Sequence, residues 1–385
     1  MSLRIRKSAG GRPLIGRNLR YAAILVTILV IFLSIATFTE VFSEKEPIRY
    51  VGPTKFYANY SSACIFRVDD FVADPSEIYN ITFHIGSKNI TLHNYQMDLI
   101  NYLLTSHPEA RLVFGVITGD LSGENNSELW SLYSVLVKEY GWEAASHTRY
   151  HLLPPRSTND ILGSIRDIEG NITGYKVLTY IPPYGKTDKK ELGLLKEAGV
   201  KIIMSDKPFQ FREPAEWSNL HITLKISPSI PWVEPLKILH SIENRIGGIM
   251  VIYTHATSFD WKNSRQLEDA FNTALSVVED GRTWITVPSE LYKYYVERNN
   301  VQVYLINGNQ FKIELRKAID FQPIPITFKF IVDREVKAVY FNNSAIPELD
   351  SFGYIPKVGY KQIGNTLLVS VLPNGTLEVL FSGGS

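Results

Sequence analysis

Residues 176–205 read KVLTYIPPYGKTDKKELGLLKEAGVKIIMS. A short apolar run, KVLTYI (176–181), stops at a Pro-Pro-Tyr-Gly turn. TDKKELGLLKEAG (187–199) then runs from a Thr cap to a Gly stop with helical spacing, and VKIIMS (200–205) resumes the apolar run. Strand, helix and strand in this order predict a parallel βα unit, because only a crossover helix lets consecutive strands run the same way.

The same alternation extends to both sides. Strands are expected at 62–71 (SACIFRVDDF), 110–118, 142–147, 221–227, 248–255 (GIMVIYTH) and 283–287, and helices at 93–108, 127–141 and 264–281. Over residues 61–296 this predicts an α/β domain, an open sheet or a barrel, with chemistry at the C-terminal ends of the strands. Residues 72–95 read as a β-hairpin after the first strand. From 301 to 385 the texture becomes strands and turns, which predicts an all-β, sandwich-like module.

The chain has 385 residues and a formal net charge of +1. Six basic residues precede residue 21 and the first acid is Glu40, which leaves 34 basic against 39 acidic residues in the remainder. A mildly acidic body excludes an electrostatic case for nucleic acid. Residues 21–39 (YAAILVTILVIFLSIATFT) carry no charge and nearly match the ~20 residues that span a hydrocarbon core. The basic tail at 1–20 predicts a cytoplasmic N-terminus, a single-pass signal anchor and an extracellular body, joined by a stalk at 40–60. Asn-x-Ser/Thr sequons at Asn59, Asn80, Asn89, Asn125, Asn171, Asn342 and Asn374 suit that side of the membrane. With one cysteine, Cys64, the chain forms no internal disulfide, and the combination points to an archaeal-like surface protein.

The strand ends carry the chemistry. The first strand ends in Asp69 and Asp70, SHTRYH puts His147 and His151 four residues apart, IPPYG is a rigid turn, and VIYTH ends on His255. Each has a structural alternative: paired Asp residues cap turns, and strand-end His residues are often hydrogen-bonded core. Together, an Asp and two His make a ligand set for a divalent metal with open positions. A second Asp and a third His supply a base and an acid.

RVDD, ASHTRYH, the PPYG…LLKEAGVK run and VIYTH resemble, in order, the motifs of the polysaccharide deacetylases (carbohydrate esterase family four, NodB-homology domain) over about 61–296. The resemblance implies a distorted (β/α) barrel that removes N- or O-acetyl groups from acetylated polysaccharides with a divalent metal, usually Zn2+. It implies Asp70, His147 and His151 as metal ligands, Asp69 as general base and His255 as general acid. The backbone N–H of Tyr184, in the turn stiffened by Pro183, would hold the oxyanion, and Thr148 would order the histidine loop. Where the family has an Arg before Pro-Pro, this chain has Ile181. Arg67, two residues from Asp69 on the strand, and Arg149 are candidates to supply that charge. Trp232 and Tyr150 are candidates for a sugar-binding groove. The alternative reading is an inert relative that keeps the site and binds glycans.

Overall fold

A computed structural model describes residues 47–85, 88–119, 127–205, 218–221 and 224–382. The expected anchor at 21–39, the basic tail and Asn125 lie outside the described residues. Among the described residues no helix is long and apolar enough to cross a membrane.

The strands in chain order are β1 (Ile48–Pro53), β2 (Ser62–Val72), β3 (Asn80–Ile85), β4 (Lys88–His93), β5 (Leu112–Ile117), β6 (Glu143–Ser146), β7 (Thr179–Tyr180), β8 (Ile202–Ser205), β9 (Ser218–His221), β10 (Leu224–Lys225), β11 (Ile249–His255) and β12 (Thr283–Ile285). Nine of them form one sheet in the order β10-β11-β2-β5-β6-β7-β8-β9, with β12 beside the start of β2. All of its pairings are parallel. The two ends of this order, His221 and Leu224, are three residues apart, so at most about 11 Å separates them. The sheet must therefore curl until its edges approach, as a half-barrel wrapped by helices.

The period of two on β2 decides what faces where. Cys64, Phe66 and Val68 point outward into an apolar layer shared with Leu267, Phe271 and Leu275 of the helix Ser264–Val278. Ala63 and Ile65 point inward, beside Val113 of β5, Ala145 of β6, Ile202 and Met204 of β8 and Val251 of β11. Further along the same inward rows come Arg67, Asp69, His147, Tyr253 and His255. The barrel interior is thus apolar at its lower end and ionisable at its C-terminal mouth.

Several expectations need correction. Only Thr179–Tyr180 of the expected strand 176–181 pairs as sheet, because the Val177 N–H is taken by the Glu169 side chain at 3.0 Å. The expected strand 221–227 divides into the last residue of β9 and the two-residue β10. Helix 187–199 narrows to Lys189–Glu197, and its cap is Asp188 rather than Thr187, accepting from the Glu191 N–H at 2.8 Å. Helices Thr158–Asn171, Val233–Ile246 and Pro288–Asn300 were not expected.

The stalk reading fails from Ile48 onward. β1 pairs antiparallel with a strand of the C-terminal region, and Ile48, Phe56 and Tyr57 are buried. That region consists of β13 (Val301–Asn307), β14 (Gln310–Leu315), β15 (Ile326–Val332), β16 (Val336–Phe341), β17 (Ser344–Ile346), β18 (Gly359–Ile363), β19 (Thr366–Val371) and β20 (Gly375–Phe381). It forms two antiparallel sheets, β1-β15-β19-β18 and β13-β14-β20-β16-β17. Their buried faces share one apolar cluster with the lower barrel interior, and Phe311 of one sheet meets Phe330 of the other at 5.0 Å. Helix Pro288–Asn300 runs into β13 without a linker, and Ile48–Ser385 is one compact unit.

Candidate active site

Two adjacent acids can face one site only if the strand is broken between them, since neighbours on a strand point to opposite faces. The register of β2 against β5 shifts between Val68 and Phe71, and Asp70 takes a left-handed φ of 65°. This bulge turns Asp70 back beside Asp69. Eight non-glycine residues have positive φ among those described, and four of them are Asp70, Thr148 (68°), His151 (52°) and Tyr184 (57°). Such backbone costs of order 1–3 kcal/mol per residue, and its concentration here is characteristic of a functional site.

Arg67 forks onto Asp69, Nε to Oδ1 at 2.8 Å and Nη2 to Oδ2 at 2.6 Å, and its Nη1 donates to the Met204 carbonyl at 3.0 Å. Burial would raise the Asp69 pKa, but the Arg67 charge and hydrogen bonds, together with His147 and His255, outweigh it and the net shift is downward. Arg149 does not reach Asp69. It forks onto Asp167 of the helix Thr158–Asn171 at 2.8 and 2.6 Å.

His147 is buried, and its Nδ1 donates to the Ile181 carbonyl at 2.7 Å. That bond leaves the Nε2 lone pair facing Asp70 Oδ1 at 3.4 Å. Gly115 makes room for the ring, since a Cβ there would lie 3.2 Å from His147 Cγ. His151 Nε2 also lies 3.4 Å from Asp70 Oδ1. Burial pushes the His151 pKa down to about 4, against the pull of Asp70, so the ring is neutral at neutral pH. The Thr148 hydroxyl accepts from the His151 N–H at 3.0 Å.

Asp70 Oδ1 and His147 Nε2 are buried and without a hydrogen-bond partner. Acceptors gathered this way repel unless a cation sits among them. One ligand atom each from Asp70, His147 and His151 lies within 4.8 Å of the others, so the cluster fits a metal ion.

His255 lies across the site, with Nε2 3.8 Å from Asp70 Oδ2. Its Nδ1 and backbone N–H both contact Asp260 Oδ2, at 2.7 and 3.1 Å, and Lys225 holds the other Asp260 oxygen at 2.8 Å. Burial disfavours the imidazolium, but Asp70, the Asp260 hydrogen bond and Asp69 outweigh it and raise the His255 pKa. Burial likewise works against an ionised Asp70, yet the charge on His255 across the site is the first of the influences that bring its pKa well below the usual carboxylate range.

The Tyr184 ring packs against His151, tilted by 59° with ring centres 4.7 Å apart, and among the described residues its N–H makes no backbone hydrogen bond. The turn is braced by Arg156, which donates to the carbonyls of Pro183 (2.9 Å), Lys186 (3.0 Å) and Leu152 (2.6 Å) and pairs with buried Glu191 at 2.7 Å. Arg156 thereby ties the His151 loop to the Tyr184 turn. A cavity of about 470 Å³ opens over these groups, with Phe83, Ile90 and Leu92 of the β3–β4 hairpin on one wall and Tyr253 and Phe259 among the others. Trp232 and Tyr150 do not line it. Trp232 packs in the outer apolar layer beside helix Val233–Ile246, and Tyr150 points to solvent. Tyr253 was legible as a same-face neighbour of His255; Arg156, Asp260 and the hairpin wall had no local signal.

No family profile and no curated protein matches the chain. Solved structures do. A putative polysaccharide deacetylase from Mycobacterium smegmatis is 15% identical, covering 68% of this chain and 99% of its own, with a TM-score of 0.43. The chitin deacetylase of the fungal pathogen Colletotrichum lindemuthianum is 14% identical over 63% and 90%, at 0.39. A CE4-family pseudoenzyme from Bacillus anthracis is 16% identical over 63% and 69%, at 0.35. All three are distant likenesses.

Proposed function

We propose that this chain is a metal-dependent hydrolase that removes N- or O-acetyl groups from an extracellular polysaccharide or glycan. The carrying observation is that the Asp70–His147–His151 cluster, the Arg67-held Asp69 and the Asp260-backed His255 open into one cavity. Asp70, His147 and His151 would hold the ion, and two imidazoles with one carboxylate suit Zn2+. A bound divalent ion acidifies a water and polarises the acyl oxygen.

The chain's own residues account for the remaining steps. Asp69, kept ionised and oriented by Arg67, takes the proton of the attacking water. The free Tyr184 N–H donates to the acyl oxygen as charge gathers there. His255, backed by Asp260, supplies the proton that the leaving amine or alcohol needs. Tyr184, Tyr253 and Phe259 offer ring surfaces to the apolar C–H faces of a sugar. Residues 21–39 would anchor the chain with the barrel outside the cytoplasm, and the six described sequon asparagines are all exposed, which supports that placement.

One observation favours the inert, glycan-binding alternative: the double Arg67 contact lowers the Asp69 pKa and so weakens it as a base. Acetate release from N-acetylated oligosaccharides separates the two. The hydrolase reading predicts release that Asp69→Asn abolishes while metal content is unchanged. Metal binding without acetate release from a broad panel of acetylated glycans favours the inert reading.

A further inference from the structure

We propose that Tyr253 is a second proton-transfer residue, whose hydroxyl stands between His255 and the leaving atom. The inference rests on the hydrolase reading above. Tyr253 and His255 sit two residues apart on the inward face of β11, and the Tyr253 hydroxyl lies 2.7 Å from His255 Nε2. The other ring nitrogen, Nδ1, is 2.7 Å from Asp260 Oδ2. Both nitrogens are therefore engaged, and the one that would face a substrate meets a phenol first.

A purely orienting role explains this poorly. Asp260 already fixes the imidazole, through Nδ1 and through the His255 N–H. A further bond on Nε2 adds little orientation and would obstruct direct transfer, unless the phenol passes the proton on. Tyr253 is placed to do so. It lines the cavity, and its ring is pinned by the Arg67 guanidinium 4.7 Å from its centre and by Lys225 Nζ at 5.6 Å.

The step balances. As the acyl C–N or C–O bond breaks, its electron pair stays on the leaving atom. The Tyr253 O–H proton moves to that atom, and the Nε2 proton of His255 moves to the Tyr253 oxygen. Tyr253 ends as the phenol it began as, and His255 ends neutral with its Nδ1–H on Asp260.

A relay is needed only by a leaving group that needs a proton. We would compare Tyr253→Phe with the full-length parent on a series of acetate esters, from 4-nitrophenyl acetate, whose leaving group departs unprotonated, to simple alkyl acetates. The relay predicts a loss of about 100-fold or more on alkyl acetates and less than about 3-fold on 4-nitrophenyl acetate. His255→Ala should show the same slope, and the double variant should be no worse than the poorer single one. Unchanged metal content and thermal midpoint would show that the phenyl ring still packs on Arg67. Equal losses across the series, or none, overturn the relay alone. A parent inactive on every ester and on N-acetylated oligosaccharides overturns the hydrolase reading and the relay with it; if the parent acts on the oligosaccharides alone, a Tyr253→Phe loss there below about 3-fold overturns the relay.

Discussion

The position of His147 depends on an atom that is absent. Gly115 lies on β5 beside the ring, and a methyl group there would press on His147 at 3.2–3.3 Å. The ring cannot yield freely, because Nδ1 is tied to the Ile181 carbonyl. Gly115→Ala should therefore shift Nε2 and weaken zinc affinity by about 10–100-fold, the range typical of disturbed ligand support. Zinc titration with a competing chelator measures this, and unchanged affinity would mean His147 is not a ligand. Asp69 has its own signature. With its folded pKa below the unfolded value, its pairing with Arg67 stabilises the fold above the unfolded pKa and loses that effect as pH falls through the folded one.

Among the elements, two loops and one arginine assemble the site. Arg156 is buried with Glu191 and links the His151 loop to the Tyr184 turn. Removing it leaves a buried, uncompensated carboxylate, so Arg156→Ala should destabilise the protein by about 3–5 kcal/mol in denaturant unfolding. A loss below about 1 kcal/mol would show that the loops hold themselves. The elements also explain what was legible in the sequence. Helices with polar caps and regular spacing, such as Ser264–Val278, stood out within a few residues. Helix Thr158–Asn171 did not, because Gly163 and Gly170 lower its propensity. A Cβ at Gly163 would lie 2.5 Å from Arg149 Nε, so the Arg149 side chain that pairs with Asp167 would have to shift. Helix Val233–Ile246 opens without a side-chain cap. Asp69, Asp70, His147, His151 and His255 were legible because strand ends are where parallel sheets put polar side chains. Arg67 beside Asp69 was legible from the strand period of two; the pairing of Arg149 with Asp167 instead, and the displacement of Trp232 and Tyr150 from the cavity, depend on loop paths that no local pattern encodes.

Across the whole molecule, the C-terminal sheets close the apolar end of the barrel opposite the site. The junction carries a pH dependence of its own. Glu297, on the helix that joins the two parts, is buried, accepts from the Ile324 N–H at 3.1 Å, and is pushed up to about 8 by burial. An acid whose folded pKa is raised costs stability as pH climbs from its unfolded value to its folded one, because only the unfolded chain ionises over that window. Glu297→Gln keeps an acceptor without the charge. Its thermal midpoint should match the parent near pH 4.5 and exceed it at pH 8.5; equal midpoints at both would contradict the burial argument.

The account stands or falls on the cation that Asp70, His147 and His151 are arranged to hold. Calorimetric titration of chelator-treated protein with Zn2+ tests it most directly. The prediction is one equivalent bound, lost on His147→Ala and on Asp70→Asn and kept on Asp69→Asn. Binding that survives His147→Ala, or no binding by the parent, would contradict it.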